Sequence, residues 1–316
     1  MPSPFREEHE QFRKTVRTFA QKELAPFVDE WEKSECFPNE VFKRAGELGL
    51  FAAHYKEEQG GLGGDYWFSI AKGEELPHCR SAGVSMGLLV QGDMATPVIG
   101  DLGTKDQIEE FLKPALKGEK IAALGVTEPN AGSDVAGIQT WARKDGDDYV
   151  INGAKTYITN GTRSDFVTLL VKTAPEQGAH GCSFFLVPSN TKGFIVAKKL
   201  KKVGNHASDT AELAFDEMRI PKRYLLGEEN MGFMYLMQNF QTERLIAATS
   251  CCAGMQIAID ESIAFGRDRK AFGKPIIKRE YWQHKFVDLL TKLEAGRALS
   301  YKAAESYNDD KHVNNG

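Results

Sequence analysis

Two stretches of this chain hold residue types at spacings suited to chemistry. The first reads Gly125-Val126-Thr127-Glu128-Pro129-Asn130-Ala131-Gly132-Ser133-Asp134-Val135-Ala136-Gly137. Apolar residues 121–126 predict a short strand. The small, hydroxylated run after it predicts a tight turn with free backbone N–H groups, able to cradle a phosphate or the edge of a heterocycle. The plainer alternative is a strand-to-loop junction with glycine at a bend. The second stretch is Phe240-Gln241-Thr242-Glu243-Arg244-Leu245. Glu243 falls in a predicted helix beside an apolar run, where desolvation raises a carboxyl pKa toward that of a working base. The alternative there is a surface glutamate paired with a nearby Lys or Arg.

Three further features have chemical readings and plainer ones. Gly83-Val84-Ser85-Met86-Gly87 matches G-x-S-x-G, a nucleophile motif that works only on a strained strand-to-helix elbow above a sheet. Its flanks read as helical and no parallel βα series is present, so a serine hydrolase is disfavoured. Gln59-Gly60-Gly61-Leu62-Gly63-Gly64-Asp65-Tyr66 is neither G-x-G-x-x-G nor a P-loop, and reads as a turn into a helix capped by Asp65. Arg269, at the end of a predicted helix, is by position alone a cation complementing the helix dipole.

Composition narrows the function classes. With 41% hydrophobic residues, 27% charged residues and a net charge of −4 over 316 residues, the chain has the core of a globular protein of two domains or so. It lacks the concentrated basic face of a nucleic-acid binder. Lys198, Lys199, Lys201 and Lys202 form the densest basic run, which reads as a solvated strand edge. Five cysteines without C-x-x-C spacing suggest neither a disulfide framework nor a metal site. The charged opening residues are not expected to form a secretion signal. Residues 245–259, the most apolar helical run, are too short and too polar to span a bilayer.

The elements that must position the two stretches follow from periodicity. Phe5, Phe12, Val16, Phe19 and Leu24 recur at near-helical spacing until Pro26. A second helix runs from about Pro38 to Gly49, and Thr104 with Gln107 forms a candidate capping box for another. Short apolar runs at 149–151, 166–171, 183–187, 194–196 and 213–215, separated by turn signals, predict an antiparallel β-domain, a small barrel or a sandwich. Long helices are predicted over 231–266, with an irregularity near Gly254, and over 279–307. The expected organisation is therefore α+β, with an N-terminal helical domain over 1–120, a middle β-domain over 121–230 and a C-terminal helical domain over 231–316.

This plan and the motif G-V-T-E-x-x-A-G-S-D-x-x-G resemble the acyl-CoA dehydrogenase family. The resemblance extends from about Arg6 to Tyr307. It includes the runs Ile151-Asn152-Gly153-Ala154-Lys155-Thr156-Tyr157-Ile158-Thr159-Asn160-Gly161, Ser208-Asp209-Thr210-Ala211-Glu212-Leu213 and Arg269-Lys270-Ala271-Phe272-Gly273-Lys274. It implies FAD-dependent α,β-dehydrogenation of an acyl-CoA thioester to the trans-2-enoyl-CoA, with electrons passing to an electron-transferring flavoprotein. By the same resemblance Leu124, Gly125, Val126, Thr127, Gly132, Ser133, Tyr157, Ile158 and Thr159 line the flavin. Backbone donors and hydroxyls there stabilise the reduced ring. Tyr157 stands where several relatives have Trp; its spacing alone predicts a half-buried strand residue.

The resemblance makes Glu243 the base, at the position used by the isovaleryl and long-chain types. Ser133, Gln241, Thr242, Glu243 and Arg244 then face the substrate. Arg269 grips the FAD phosphate of a neighbouring subunit, a task suited to a guanidinium fork, which implies a homo-oligomer, dimer or tetramer. It also implies a bacterial cytoplasmic or mitochondrial matrix location. Two departures stand out. Arg279-Glu280 replaces the family's Phe-Gln, bringing the Glu280 carboxylate near the cofactor. The chain also stops at Gly316, where relatives continue into further helices, as expected of a fragment or a shortened member. An alternative is a non-catalytic descendant that binds acyl-CoA or FAD without turnover.

Overall fold

The computed structural model describes residues 3–309; the end of the domain expected over 231–316, residues 310–316, lies outside the described residues. Ten α-helices and two sheets occur among them. The helices are α1 (Glu7–Thr18), α2 (Val28–Ser34), α3 (Glu40–Glu47), α4 (Trp67–Glu75), α5 (Ala82–Leu89), α6 (Pro97–Leu102), α7 (Lys105–Gln107), α8 (Lys113–Leu116), α9 (Gly232–Asp268) and α10 (Glu280–Asn308). The main sheet comprises β1 (Ala122–Gly125), β2 (Trp141–Asp145), β3 (Asp148–Thr159), β4 (Phe166–Lys172), β5 (Cys182–Pro188), β6 (Phe194–Lys199), β7 (Thr210–Pro221) and β8 (Leu225–Leu226). The chain divides into two compact units. One comprises Phe27–Gly64 and Ser81–Glu243; the other comprises Met1–Pro26, Asp65–Arg80 and Arg244–Gly316.

The first unit is built on the eight-stranded sheet, ordered β6-β7-β3-β2-β4-β5-β8 with β1 paired to β4. The helical, then β, then helical plan expected from the sequence is present. The expectations of a closed barrel and of purely antiparallel pairing need correcting. The strand order does not close into a barrel; the sheet ends on β6 and on the two-residue β8. Nor is it purely antiparallel, because β1 pairs with β4 in parallel. Local alternation specifies that a run is a strand, but direction and order depend on partners distant in sequence. β4 and β5 are mostly apolar and buried except at their last residues, as strands covered on both faces must be. Exposed β6 carries Lys198 and Lys199 on the edge, as a strand exposed to stray pairing should.

Several local expectations correspond to observed bonds. In the capping box, the Gln107 N–H donates to Thr104 Oγ1 at 3.3 Å and the Thr104 N–H to Gln107 Oε1 at 3.0 Å. The Gly-rich loop spends its N–H groups internally: Leu62 donates to Ala52 O, Gly63 to Tyr55 O and Gly64 to Ala53 O. A Cβ at Gly61 would fall 2.0 Å from Tyr55 O, so glycine there serves a close backbone approach and not a phosphate. Ser85 lies buried inside α5 with its hydroxyl donating to Ser81 O at 3.1 Å, on no elbow at all. That geometry removes the hydrolase reading.

The second unit is helical. α1 runs on through a π-helical turn at Phe19–Leu24, and α4 begins where the Asp65 carboxylate accepts the Trp67 N–H at 3.0 Å. α9 is one continuous helix of 37 residues, so the irregularity expected at Gly254 is absent. Apart from its chain neighbours and its own helix backbone, no described atom lies within 4 Å of where a Gly254 Cβ would be, and an unhindered helical glycine costs helix propensity without breaking the helix. Arg13 of α1 bridges to Glu74 at 3.2 Å and to Glu75 at 2.8 Å on α4, and Tyr301 of α10 donates to Glu74 at 2.6 Å. No helix among the described residues is long and apolar enough to cross a membrane.

Candidate active site

The loop after β1 has a defined shape. Glu128 and Ala131 exchange two backbone hydrogen bonds, Glu128 N–H to Ala131 O at 2.9 Å and the reverse at 3.1 Å, closing a turn through Pro129 and Asn130. The chain leaves this turn with Gly132 and Ser133 exposed. Among the described residues the N–H groups of Gly132 and Ser133 find no hydrogen-bond acceptor. Leu124 and Thr127 are half-buried, and Gly125 and Val126 are buried against the sheet. A Cβ at Gly125 would come 2.9 Å from both Leu169 Cδ1 and Val167 Cγ1, so β1 lies tight on its neighbour.

The second arm is β3. The Thr156 N–H donates to Thr127 O at 2.9 Å, tying β3 to the loop. The β3–β7 register then slips between Lys155 and Ile158, a bulge that leaves Tyr157 at φ +61° and 69% exposed. Positive φ is uncommon for an aromatic residue, and bulges that re-aim a side chain cluster at functional sites. The half-buried strand residue predicted from period 2 is therefore corrected to an outward aromatic on a bulge. Ile158 is buried and Thr159 half-buried beyond it.

Beneath both arms is a pair that sequence reasoning did not single out. Lys155 is fully buried; its Nζ donates to Glu128 Oε1 at 2.7 Å and to Val126 O at 2.9 Å. The Glu128 carboxylate also accepts the N–H groups of Gln139 at 2.5 Å and Thr140 at 3.0 Å. Burial pulls the Lys155 ammonium down to about 8, opposed by the Glu128 charge. Burial acts against the Glu128 carboxylate too, yet Lys155 and the loop donors hold it below the ordinary range.

Glu243 is on α9, in the same unit as the loop and Tyr157. One turn earlier on the helix, Asn239 donates through Nδ2 to Glu243 Oε1 at 2.5 Å and to Met94 O at 3.0 Å. Asn239 and Thr242 are buried, Gln241 and Glu243 half-buried. Asn239 was missed, although its i−4 spacing from Glu243 marks it as a helix-face neighbour. The structure thus gathers residues 124–133, 157–159 and 241–243 into one unit. Arg244, Arg269 and Glu280 belong to the other, where all three are exposed. Arg269 leads into a hairpin whose tip, Phe272-Gly273, has positive φ at both residues, the geometry of a type I′ turn. Glu280 opens α10 and pairs with His284 at 3.3 Å.

The donor set fits a flat, polar-edged ring: unbonded N–H groups on exposed residues, the Ser133 hydroxyl and an exposed aromatic in one unit. The chain matches three family models in succession, described as acyl-CoA dehydrogenase N-terminal domain (residues 6–119), middle domain (123–218) and C-terminal domain (230–315). It is 42% identical over 297 residues to the mitochondrial long-chain specific acyl-CoA dehydrogenase of Rattus norvegicus, covering 93% of this chain and 69% of that enzyme. It is 39% identical over 299 residues to the mitochondrial short-chain specific acyl-CoA dehydrogenase of Bos taurus, covering 94% and 72%. The crystal structure of acyl-CoA dehydrogenase from Geobacillus kaustophilus superposes with a TM-score of 0.95 at 36% identity, covering 99% of this chain and 82% of that one.

Proposed function

This chain belongs to the acyl-CoA dehydrogenase family, and on that premise we propose that it oxidises the Cα–Cβ bond of an acyl-CoA thioester, with Glu243 as the base. The observation that carries this reading is the arrangement within one unit: a carboxylate anchored by Asn239 on α9, together with the signature loop and the outward Tyr157. Glu243 takes the α-proton of the substrate, leaving electron density that expels the β-hydrogen as hydride. FAD, when bound, supplies the acceptor for that hydride. The N–H groups of Gly132 and Ser133, the hydroxyls of Ser133 and Thr159 and the ring of Tyr157 are the groups that would hold the flavin. Fixed donors of this kind need no reorganisation as charge develops.

Gln241 and Thr242 flank the acyl thioester, and the base on α9 favours long-chain or branched acyl groups. The two electrons then pass to an electron-transferring flavoprotein. Exposed Arg269 is suited to gripping the phosphate of a neighbouring copy's cofactor, which requires a homo-oligomer; sedimentation of a monomer holding FAD tightly would remove that role. The direct test is spectroscopic. Purified protein should be yellow, release FAD on denaturation, and bleach anaerobically with at least one member of an acyl-CoA series from C4 to C16, straight and branched. A folded, colourless protein that refuses added FAD would overturn the reading.

A further inference from the structure

We propose that Lys155 and Glu128 are a positioning pair that sets the backbone of the flavin-edge loop, a role that rests on the functional reading above. Their contacts go to backbone rather than to other side chains. Lys155 Nζ holds Val126 O, and Glu128 holds the N–H groups of Gln139 and Thr140 on the far side of the loop. Glu128 itself forms one side of the closed turn with Ala131, from which Gly132 and Ser133 emerge. On β3 the residue after Lys155 bonds Thr127 O, and the next is the outward Tyr157. One buried ammonium therefore ties the start of the loop to its turn, while its own strand carries the aromatic arm.

The pair is fully sequestered, with the Lys155 side chain at 0% exposure and that of Glu128 at 5%, so water cannot replace either partner. A buried pair of this kind is poor evidence of stability in itself, but fixing one geometry is its best-attested use. Lys155 and Glu128 touch neither substrate nor ring in this account; they act through the loop. Their removal should therefore change how the loop presents its donors before it changes anything else.

The experiment compares Lys155→Met with Glu74→Gln, a control that removes a buried charge in the other unit. Amide hydrogen exchange across 126–133 is measured on protein stripped of FAD, and FAD affinity by fluorescence quenching and visible spectrum. Lys155→Met should exchange at least tenfold faster in that segment, bind FAD at least tenfold more weakly and shift the flavin band toward that of free FAD. Glu74→Gln should leave all three unchanged. If Lys155→Met does not fold, the neutral double variant Lys155→Met/Glu128→Gln, which strands no charge, is read by the same criteria. Unchanged loop exchange and unchanged FAD affinity would overturn the proposal, as would equal losses in the Glu74→Gln control. Unmutated protein that takes up no FAD would overturn the functional reading and the flavin aspect of this proposal together. A variant equal to an FAD-binding parent overturns the positioning role alone.

Discussion

Glu128 and Glu74 are two carboxylates of nearly equal burial, at 6% and 8% exposure, yet their ionisation is pushed in opposite directions. Glu128, in the sheet unit, lies below the ordinary value of 4.5; Glu74, in the helical unit, lies above it. Burial opposes charge at both, so the difference lies in the donors. Glu128 has an ammonium and two backbone N–H groups directed at it. Glu74 has the Tyr301 hydroxyl and a guanidinium that Arg13 divides among Glu10, Glu74 and Glu75, with the like charge of Glu75 beside it. One carboxylate is built to stay ionised and hold backbone; the other links helices and bears a standing electrostatic cost.

The comparison breaks most visibly if Glu128 is neutralised. Glu128→Gln strands the Lys155 charge in the interior, and losing one partner of a buried pair costs about 3–5 kcal/mol. Thermal unfolding at pH 7 should show that loss as a large drop in Tm; a drop no greater than that of a surface substitution would contradict the account. The pH dependence has a definite sign. A depressed carboxyl contributes stability above 4.5 that is lost as pH falls through its folded value, so the gap between parent and Glu128→Gln should narrow on acidification.

A smaller effect is expected at a third carboxylate. Asn239→Ala removes the amide that orients Glu243, and a hydrogen bond to a charged group is worth about 1.5–3 kcal/mol, on the order of tenfold or more in rate. Turnover should fall while KM and FAD content stay near the parent values. A change confined to KM would show that Asn239 serves substrate binding instead. Smallest of all is Glu74→Gln, expected to shift stability at pH 7 by under about 1 kcal/mol, because the lost ion-pair attraction and the relieved burial penalty oppose each other. Here the sign reverses. A raised carboxyl contributes stability below 4.5 that is lost as pH rises through its folded value, so parent protein should gain on this variant as the pH falls.

What the sequence disclosed, and what it hid, follows from whether the cause was local. The capping box at Thr104, the long helix of residues 231–266 and the turn after β1 depend on neighbours within a few positions, and each was readable. β2 at Trp141–Asp145 was not, because its polar run carries no alternation and it is a strand only through pairing with β3. The helix α2 beyond Pro26 was hidden in the same way, since a proline predicts a stop but says nothing of a restart. Tyr157 shows the deeper limit. Period-2 reasoning assumes an unbroken strand, and a bulge set by the β7 register reverses which side an aromatic faces. The partners that position the site, Lys155 and Asn239, are ordinary polar residues until the fold brings acceptors to them.

Rapid anaerobic mixing tests whether Glu243 removes the α-proton. Parent protein and Glu243→Gln, each loaded with FAD, are mixed with an acyl-CoA that demonstrably bleaches the parent. A neutral amide cannot accept a proton, so the variant should keep its flavin and bind the thioester but bleach about 10²–10⁴-fold more slowly. Bleaching of Glu243→Gln at the parent rate would contradict the account.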